Sequence, residues 1–343
     1  MLISIKENKD VKIIRSPNYN SNFNKHTGYF ERWGRTLDED PSMSPTPELF
    51  DIELTTVCHG IKGKLCSFCY KANSPKGTNM SLATFKQLMI KLPKHCLTQI
   101  AFGVDSNCTS NPDWFEIFKY TRELGIVPNV TVADITDDTA DKLATVCGAV
   151  AVSRYDNYDV CYDTVKKLTD RGMMQVNIHL PIAKELLSNA QKTLYDRLHD
   201  TRLVKLNAIV MLSLKKKGRG INYMQLEQIT YNQLVQIALT NNINFGMDSC
   251  SAQKAMEALK LTPNYTEIKQ CIEPCESSLM SAYIDVNGKF FPCSFCPGTP
   301  GWEEGLDVVG CTDFIKDIWM HPRTVEFRKQ LIKGGRKCPI YNI

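Results

Sequence analysis

The sequence predicts an α/β protein. A run of parallel strands, each followed by a helix, curls into a barrel or partial barrel, and a smaller cysteine-rich α+β unit follows it. Three observations carry this. Short apolar segments alternate with amphipathic ones about seven times between residues 49 and 250, the pattern of βαβ units and a parallel sheet. A dense set of cysteines begins where that alternation stops. The segment YIDVNGKFFPC then places Asn287-Gly288 between two apolar arms, a strong short hairpin signal.

Taken in order, residues 1–48 are polar and turn-rich, closing on DEDPSMSPTPE, and read as an extension or lid. PELFDIELTT is the first strand of the repeat, and SLATFKQLMIKL is a helix with Ser81 at its N-cap. TQIAFGV (strand) and DWFEIFKYTRELG (helix, stopped by Gly125) follow. VPNVTVAD, GAVAVSR, MQVNIHLPI, LVKLNAIVMLSL and INFGMDSC are further strands. TDDTADKLATVC, YDTVKKLTDRG, AKELLSNAQKTLYDRLHD and TYNQLVQIALTNN are the helices between them. Right-handed crossovers throughout would curl the sheet and put the active site at the C-terminal strand ends. Residues 251–343 form the second unit, with the hairpin and one helical stretch over DFIKDIWMHPRTVEFRKQLIKGG.

The 343 residues carry a net charge of +4, too mild to argue for a nucleic-acid partner. The N-terminus lacks the apolar run of a secretory signal, and no stretch approaches the roughly 18 apolar residues of a membrane span. A soluble, cytoplasmic protein is expected. Fourteen cysteines then point to metal or catalysis more than to disulfides. Cys96, Cys108, Cys147 and Cys161 stand singly and read as small core residues.

The segment Cys58-HGIKGKL-Cys66-SF-Cys69 follows the first strand of the repeat, where such a fold places its chemistry. Three thiolates on one loop do not fill a four-ligand zinc site. They do suit a four-iron, four-sulfur (4Fe-4S) cluster with one iron left open. The loop resembles that of the radical S-adenosylmethionine (SAM) superfamily, whose usual spacing is C-x3-C-x2-C with an aromatic residue before the last cysteine. This chain keeps C-x2-C and has Phe68 at the aromatic position; its first gap is seven residues. A zinc site completed by a distant ligand such as His59, or purely structural thiols, are the alternatives.

The resemblance implies a partial (β/α)6-type TIM barrel over 49–250. It also implies that the open iron chelates SAM, whose reductive cleavage yields a 5′-deoxyadenosyl radical that abstracts hydrogen from a substrate. Strand ends would hold the cofactor. Gly103 and Asp105 stand where the family has a Gly-Gly-Glu-type motif for the cofactor's amino group. Ser153 and Arg154 end the fourth strand, where the family contacts ribose and carboxylate; a surface salt bridge is the other reading of Arg154. Asn177 and His179 alternate on the fifth strand and so share one face, as cofactor contacts or as a hydrogen-bonded core. Asp248 and Ser249 are weaker pocket candidates. The run Lys215-Lys216-Lys217-Gly218-Arg219-Gly220 reads first as a solvated charge run and second as an anion contact.

Beyond the barrel, Cys275-x12-Gly288-x4-Cys293 resembles the signature of the SPASM and Twitch auxiliary-cluster domains. This implies a second 4Fe-4S cluster over 251–343. The favoured ligands are Cys250, Cys275, Cys293 and Cys338, with Cys271 a rival for Cys250 and Cys296 for Cys293 or Cys338; zinc is the alternative. Together the two resemblances imply a radical SAM oxidoreductase or modifying enzyme that oxidises or crosslinks a peptidyl substrate, with the second cluster accepting an electron. The alternatives are a dehydrogenase or rearrangement enzyme acting on a small molecule such as a sugar alcohol or nucleoside, and a zinc-stabilised binding protein. The enzyme readings expect an electron donor such as flavodoxin or ferredoxin and a peptide or small-molecule substrate, with no membrane or nucleic-acid partner.

Overall fold

The computed structural model describes residues 3–343. It begins with a four-stranded antiparallel meander, β1 (Ser4–Glu7), β2 (Val11–Arg15), β3 (Asn20–Asn24) and β4 (Phe30–Trp33), in that spatial order. The segment expected to be a turn-rich extension is therefore a sheet in its own right. Ile14, Tyr19 and Phe23 are buried in it. Lys12 Nζ reaches the carbonyls of Lys94 and Leu97 at 2.8 and 2.9 Å, which fixes the sheet to the body of the protein.

The repeat follows as β5 (Leu49–Glu53), α1 (Leu82–Lys91), β6 (Gln99–Gly103), α2 (Trp114–Glu123), β7 (Val127–Val132), α3 (Asp137–Val146), β8 (Ala149–Ser153), α4 (Tyr158–Asp170), β9 (Val176–Ile182), α5 (Leu187–His199), β10 (Ala208–Ser213), α6 (Gln228–Thr240) and β11 (Phe245–Met247). The caps act as the sequence indicates: Ser81 Oγ accepts from the Thr84 amide at 3.1 Å, and Gly125 takes a positive φ beyond α2. The seven strands are parallel neighbours in unbroken chain order. When every crossover advances in one direction with one hand, all the helices fall on one face. Phe50, Ile52, Ile100, Val150, Ile178 and Ile209 are fully buried in the core. Residues at the alternate positions, from Asp51 on β5 to Leu212 on β10, line one cavity of about 940 Å³.

The remainder comprises α7 (Ala252–Leu259), α8 (Tyr265–Gln270), β12 (Ser281–Ile284), β13 (Lys289–Phe291), β14 (Leu306–Asp307) and α9 (Pro322–Lys333). The hairpin β12–β13 turns at Gly288, φ +75°. It does not stand apart: β12 pairs in parallel with β5, Ser281 opposite Leu49 and Ile284 opposite Ile52. The result is one open ten-stranded sheet, β11-β10-β9-β8-β7-β6-β5-β12-β13-β14. The single helix expected over 313–335 is divided. A π-helical turn, Ile315–Trp319, precedes α9, with Pro322 in its first turn and His321 at the N-cap. Proline lacks the amide a continuous helix needs there. Among the described residues no helix is long and apolar enough to cross a membrane.

Candidate functional site

The cavity opens at the C-terminal ends of the parallel strands, and Cys58, Cys66 and Cys69 are on its wall. The seven-residue gap between the first two is taken up by a tight turn. Ile61 and Lys64 exchange both backbone hydrogen bonds, at 3.1 and 2.9 Å, across Lys62 (φ +49°) and Gly63 (φ +79°). Successive positive φ values at a two-residue turn are the hairpin geometry that glycine favours. Ahead of it Gly60 is indispensable, since a Cβ there would lie 2.2 Å from the Lys64 carbonyl oxygen. Ser106 Oγ donates to the Gly60 carbonyl at 2.9 Å and ties the loop to the end of β6.

The thiols are already mutually polarised. The neighbouring thiols of Cys66 and Cys69 shift each other, Cys66 upward and Cys69 down to about 6. Burial pushes the Tyr155 phenol up, and the thiols of Cys66, Cys69 and Cys58 all act on it in the same direction, so the three face one space. Among the described residues no three Cys, His, Asp or Glu side chains close around a point as they would around a single ion.

Phe68 lines the same cavity, its ring 5.4 Å from that of Tyr155 and edge-on to Tyr223 at 6.2 Å. Gly103 and Ser153 also line it. His179 is a wall residue; burial lowers it to about 4, outweighing the nearby Asp248, so it is neutral and usable as a hydrogen-bond partner. Asp105 is on the wall, but both its oxygens are occupied by Ser110, through its amide at 3.2 Å and its hydroxyl at 2.8 Å. Asp248 lines the wall and is paired with Lys215.

Two strand-end expectations are corrected. Arg154 faces away from the cavity: it is buried, donates to Thr193 Oγ1 at 3.2 Å and lies over the Tyr158 ring. Ser153 takes the cavity side of β8, so the next residue must point to the other. Asn177 shares the face of His179 but accepts from Asn207 Nδ2 at 2.8 Å, at the opposite end of the strand from the cysteines.

The sequence reasoning missed the floor of the cavity. Asp51 and Glu53 project from β5 into it. Glu53 is held by Lys71 at 3.1 Å and by the Tyr283 hydroxyl at 2.9 Å, and Lys71 also bonds Tyr283. Among the described residues none donates a hydrogen bond to the Asp51 carboxyl, and burial raises it to about 6 against the pull of Lys71. Ala101 and Gly103, in register with Asp51 and Glu53 on β6, leave the space above them open. The signal was present as two carboxylates two positions apart in an otherwise apolar strand, FDIEL.

In the C-terminal segment five thiols are electrostatic neighbours. Cys250 feels Cys275 and Cys293, Cys275 feels Cys293 and Cys338, and Cys296 feels Cys293 and Cys338. Cys293 and Cys296 are in contact, Sγ to Sγ 3.4 Å, and the hydrogen bond from Cys296 lowers Cys293 to about 7. Burial raises Cys275 to about 11. Cys271 stands outside this group, exposed, its sulfur on the Glu267 carbonyl. All fourteen cysteines are free, and Cys96, Cys108, Cys147 and Cys161 are buried.

No family model matches the chain, and no curated protein matches it. Among solved structures, a methylornithine synthase is similar over 85% of this chain and 83% of its own, with 12% identity and a TM-score of 0.47. That likeness is too loose to support any statement about the site.

Proposed function

We propose that the chain is a radical SAM enzyme. The observation that carries this is the position of Cys58, Cys66 and Cys69: one loop, directly after the first strand of the repeat, on the wall of a cavity formed by the inner face of consecutive parallel strands. The turn at 61–64 takes up the long first gap, and all three thiols still line the one cavity. When bound, the cluster and SAM supply the radical chemistry. The chain's own residues hold and enclose them: the three thiols as ligands, Phe68 and Tyr155 shielding the loop, Gly103 and Ser153 on the strand ends, and neutral His179 as a hydrogen-bond partner. Asp105, already engaged by Ser110, is a weaker contact than its position suggested, and Arg154 is outside the cavity.

Cys250, Cys275, Cys293 and Cys338 would hold a second cluster, with Cys296 the fifth thiol of that group. A cavity of about 940 Å³ falls within the roughly 300–1,000 Å³ typical of small-molecule sites. It supports a small substrate beside the cofactor more than a peptide. The unpartnered Asp51 supports an amine or hydroxyl group on that substrate. Anaerobically purified protein is expected to be brown, to hold about eight irons per chain, and to release 5′-deoxyadenosine from SAM and reductant, faster with the true substrate. A colourless protein holding zinc would overturn the proposal.

Two substitutions probe the parts. Cys271→Ala is expected to leave the iron content unchanged, whereas Cys275→Ala with Cys293→Ala removes about four irons, read by iron analysis. Asp51→Asn is expected to weaken substrate binding yet stabilise the fold. An ionised carboxyl raised to about 6 costs about 3 kcal/mol relative to an ordinary one; the solvent in the cavity reduces this, leaving a gain of about 1–2 kcal/mol. Because the folded-state value is raised, the wild type loses stability as pH rises through about 6. The advantage of the variant therefore appears above pH 6 and vanishes below about pH 4, as denaturant midpoints across that range would show.

A further inference from the structure

The basic run at 215–220 is not a solvated face. Only Lys216 among its four cations is exposed. Lys215 is buried against Asp248 and lies 4.8 Å over the Phe295 ring. Lys217 Nζ donates to the carbonyls of Phe295 (2.8 Å) and Pro297 (2.6 Å), which flank Cys296. Arg219 turns the other way. Its side chain donates to the carbonyls of Cys66 (2.7 Å) and Asn73 (2.9 Å), and its amide to that of Cys69 (2.9 Å). Between the two loops Tyr70, next to Cys69, lies against Phe295, ring centroids 4.3 Å apart. Gly218, at φ +58°, passes so close that a Cβ would lie 2.4 Å from the Tyr70 carbonyl oxygen and 2.5 Å from that of Cys69.

We infer that the 215–220 turn is a positioning strap that holds the two thiol loops as one mechanical and electrostatic unit. Lys217 and Arg219 grip main-chain carbonyls of opposite loops, and the Tyr70–Phe295 contact closes the space between them. Hydrogen bonds from charged donors to carbonyls are the strong kind, and each loop has its own end of the turn. The cations also stand beside both thiol sets, so their charge favours added electrons at either. What the thiols hold rests on the proposed function; the strap itself does not.

The test has two arms, both on the full chain. In metal-free protein, amide hydrogen exchange is followed over 58–73 and 293–298. Loss of a charge-assisted bond of about 1.5–3 kcal/mol corresponds to at least about tenfold faster exchange. Lys217→Met and Arg219→Gln are each expected to produce this in both loops, and Lys217→Arg to restore it. Gly218→Ala, which displaces the turn without altering charge, is expected to do the same and stands in if a charge variant does not fold. Acceleration confined to the loop that the substituted side chain touches, or none at all, overturns the inference. In iron-loaded protein, removing either cation is expected to lower the reduction potentials of both clusters, since net charge is one of the levers on such potentials; an unchanged potential at either centre overturns the electrostatic half. If wild-type protein binds no iron, the proposed function fails while the exchange arm still decides the strap.

Discussion

Replacing Cys58, Cys66 and Cys69 together by alanine is expected to reduce SAM cleavage to background and to leave about four irons at the C-terminal thiols. The expectation rests on how the thiols group as well as on chemistry. The three thiols share the Tyr155 side of the cavity, whereas Cys250, Cys275, Cys293, Cys296 and Cys338 interact with one another. No thiol of the second group belongs to the turn at 61–64 that returns the chain toward Cys66. Cleavage measured as 5′-deoxyadenosine, beside iron analysis of the same sample, separates loss of one centre from general collapse. Persistence of cleavage would remove this loop from the chemistry.

Arg32→Met is expected to destabilise the protein by about 3–5 kcal/mol, the usual result of removing one partner from a buried ion pair. The Arg32 side chain is 4% exposed and meets Glu48 at 3.1 Å, Glu273 at 2.6 Å and Glu276. One cation thus compensates three carboxylates, on the segment before β5 and on the segment that carries Cys275. Burial raises Glu48 to about 7 even with Arg32 and Tyr19 opposing it, and burial also raises Glu273. Carboxyls with raised folded-state values hold protons that the unfolded chain releases, so stability falls as pH rises through them. The loss in Arg32→Met should therefore be largest above pH 7 and shrink toward pH 5. Urea midpoints at several pH values test this, and a pH-independent loss would count against it.

The repeat was legible because its physics is local. Alternation of apolar strand and amphipathic helix, Ser81 and Gly125 as punctuation, and Asn287-Gly288 as a turn each act within a few residues. The N-terminal sheet was not, because β3 (NSNFN) and β4 (FERW) carry few apolar residues, and Arg32 of β4 is fixed by partners farther along the chain, among them Glu48 and Glu276. The position of the Cys58–Cys69 loop, after the first strand of the repeat and on the cavity wall, could be read from the strand order. The direction of Arg154 was available from strand alternation, once Ser153 was placed inward. The role of 215–220 was not available, because a charge run shows its sign and not its partners, which here are carbonyls 78–80 residues ahead and 146–153 residues behind. The floor of the cavity was hidden for a related reason: Tyr283 reaches Glu53 across 230 residues.

The parallel pairing of β12 with β5 has a consequence for how the protein is made. On a ribosome, β5 emerges early and waits with one edge bare until residue 284 has been synthesised, by which time all seven strands of the repeat are outside. An unpaired edge invites pairing with other chains, and such partly built sheets are prone to aggregate. Glu53, the carboxylate that Tyr283 completes, also stays uncovered until then. Assembly of the cavity floor is thus among the last events of biosynthesis, and chains truncated before the hairpin should accumulate as insoluble material and not as a smaller folded protein.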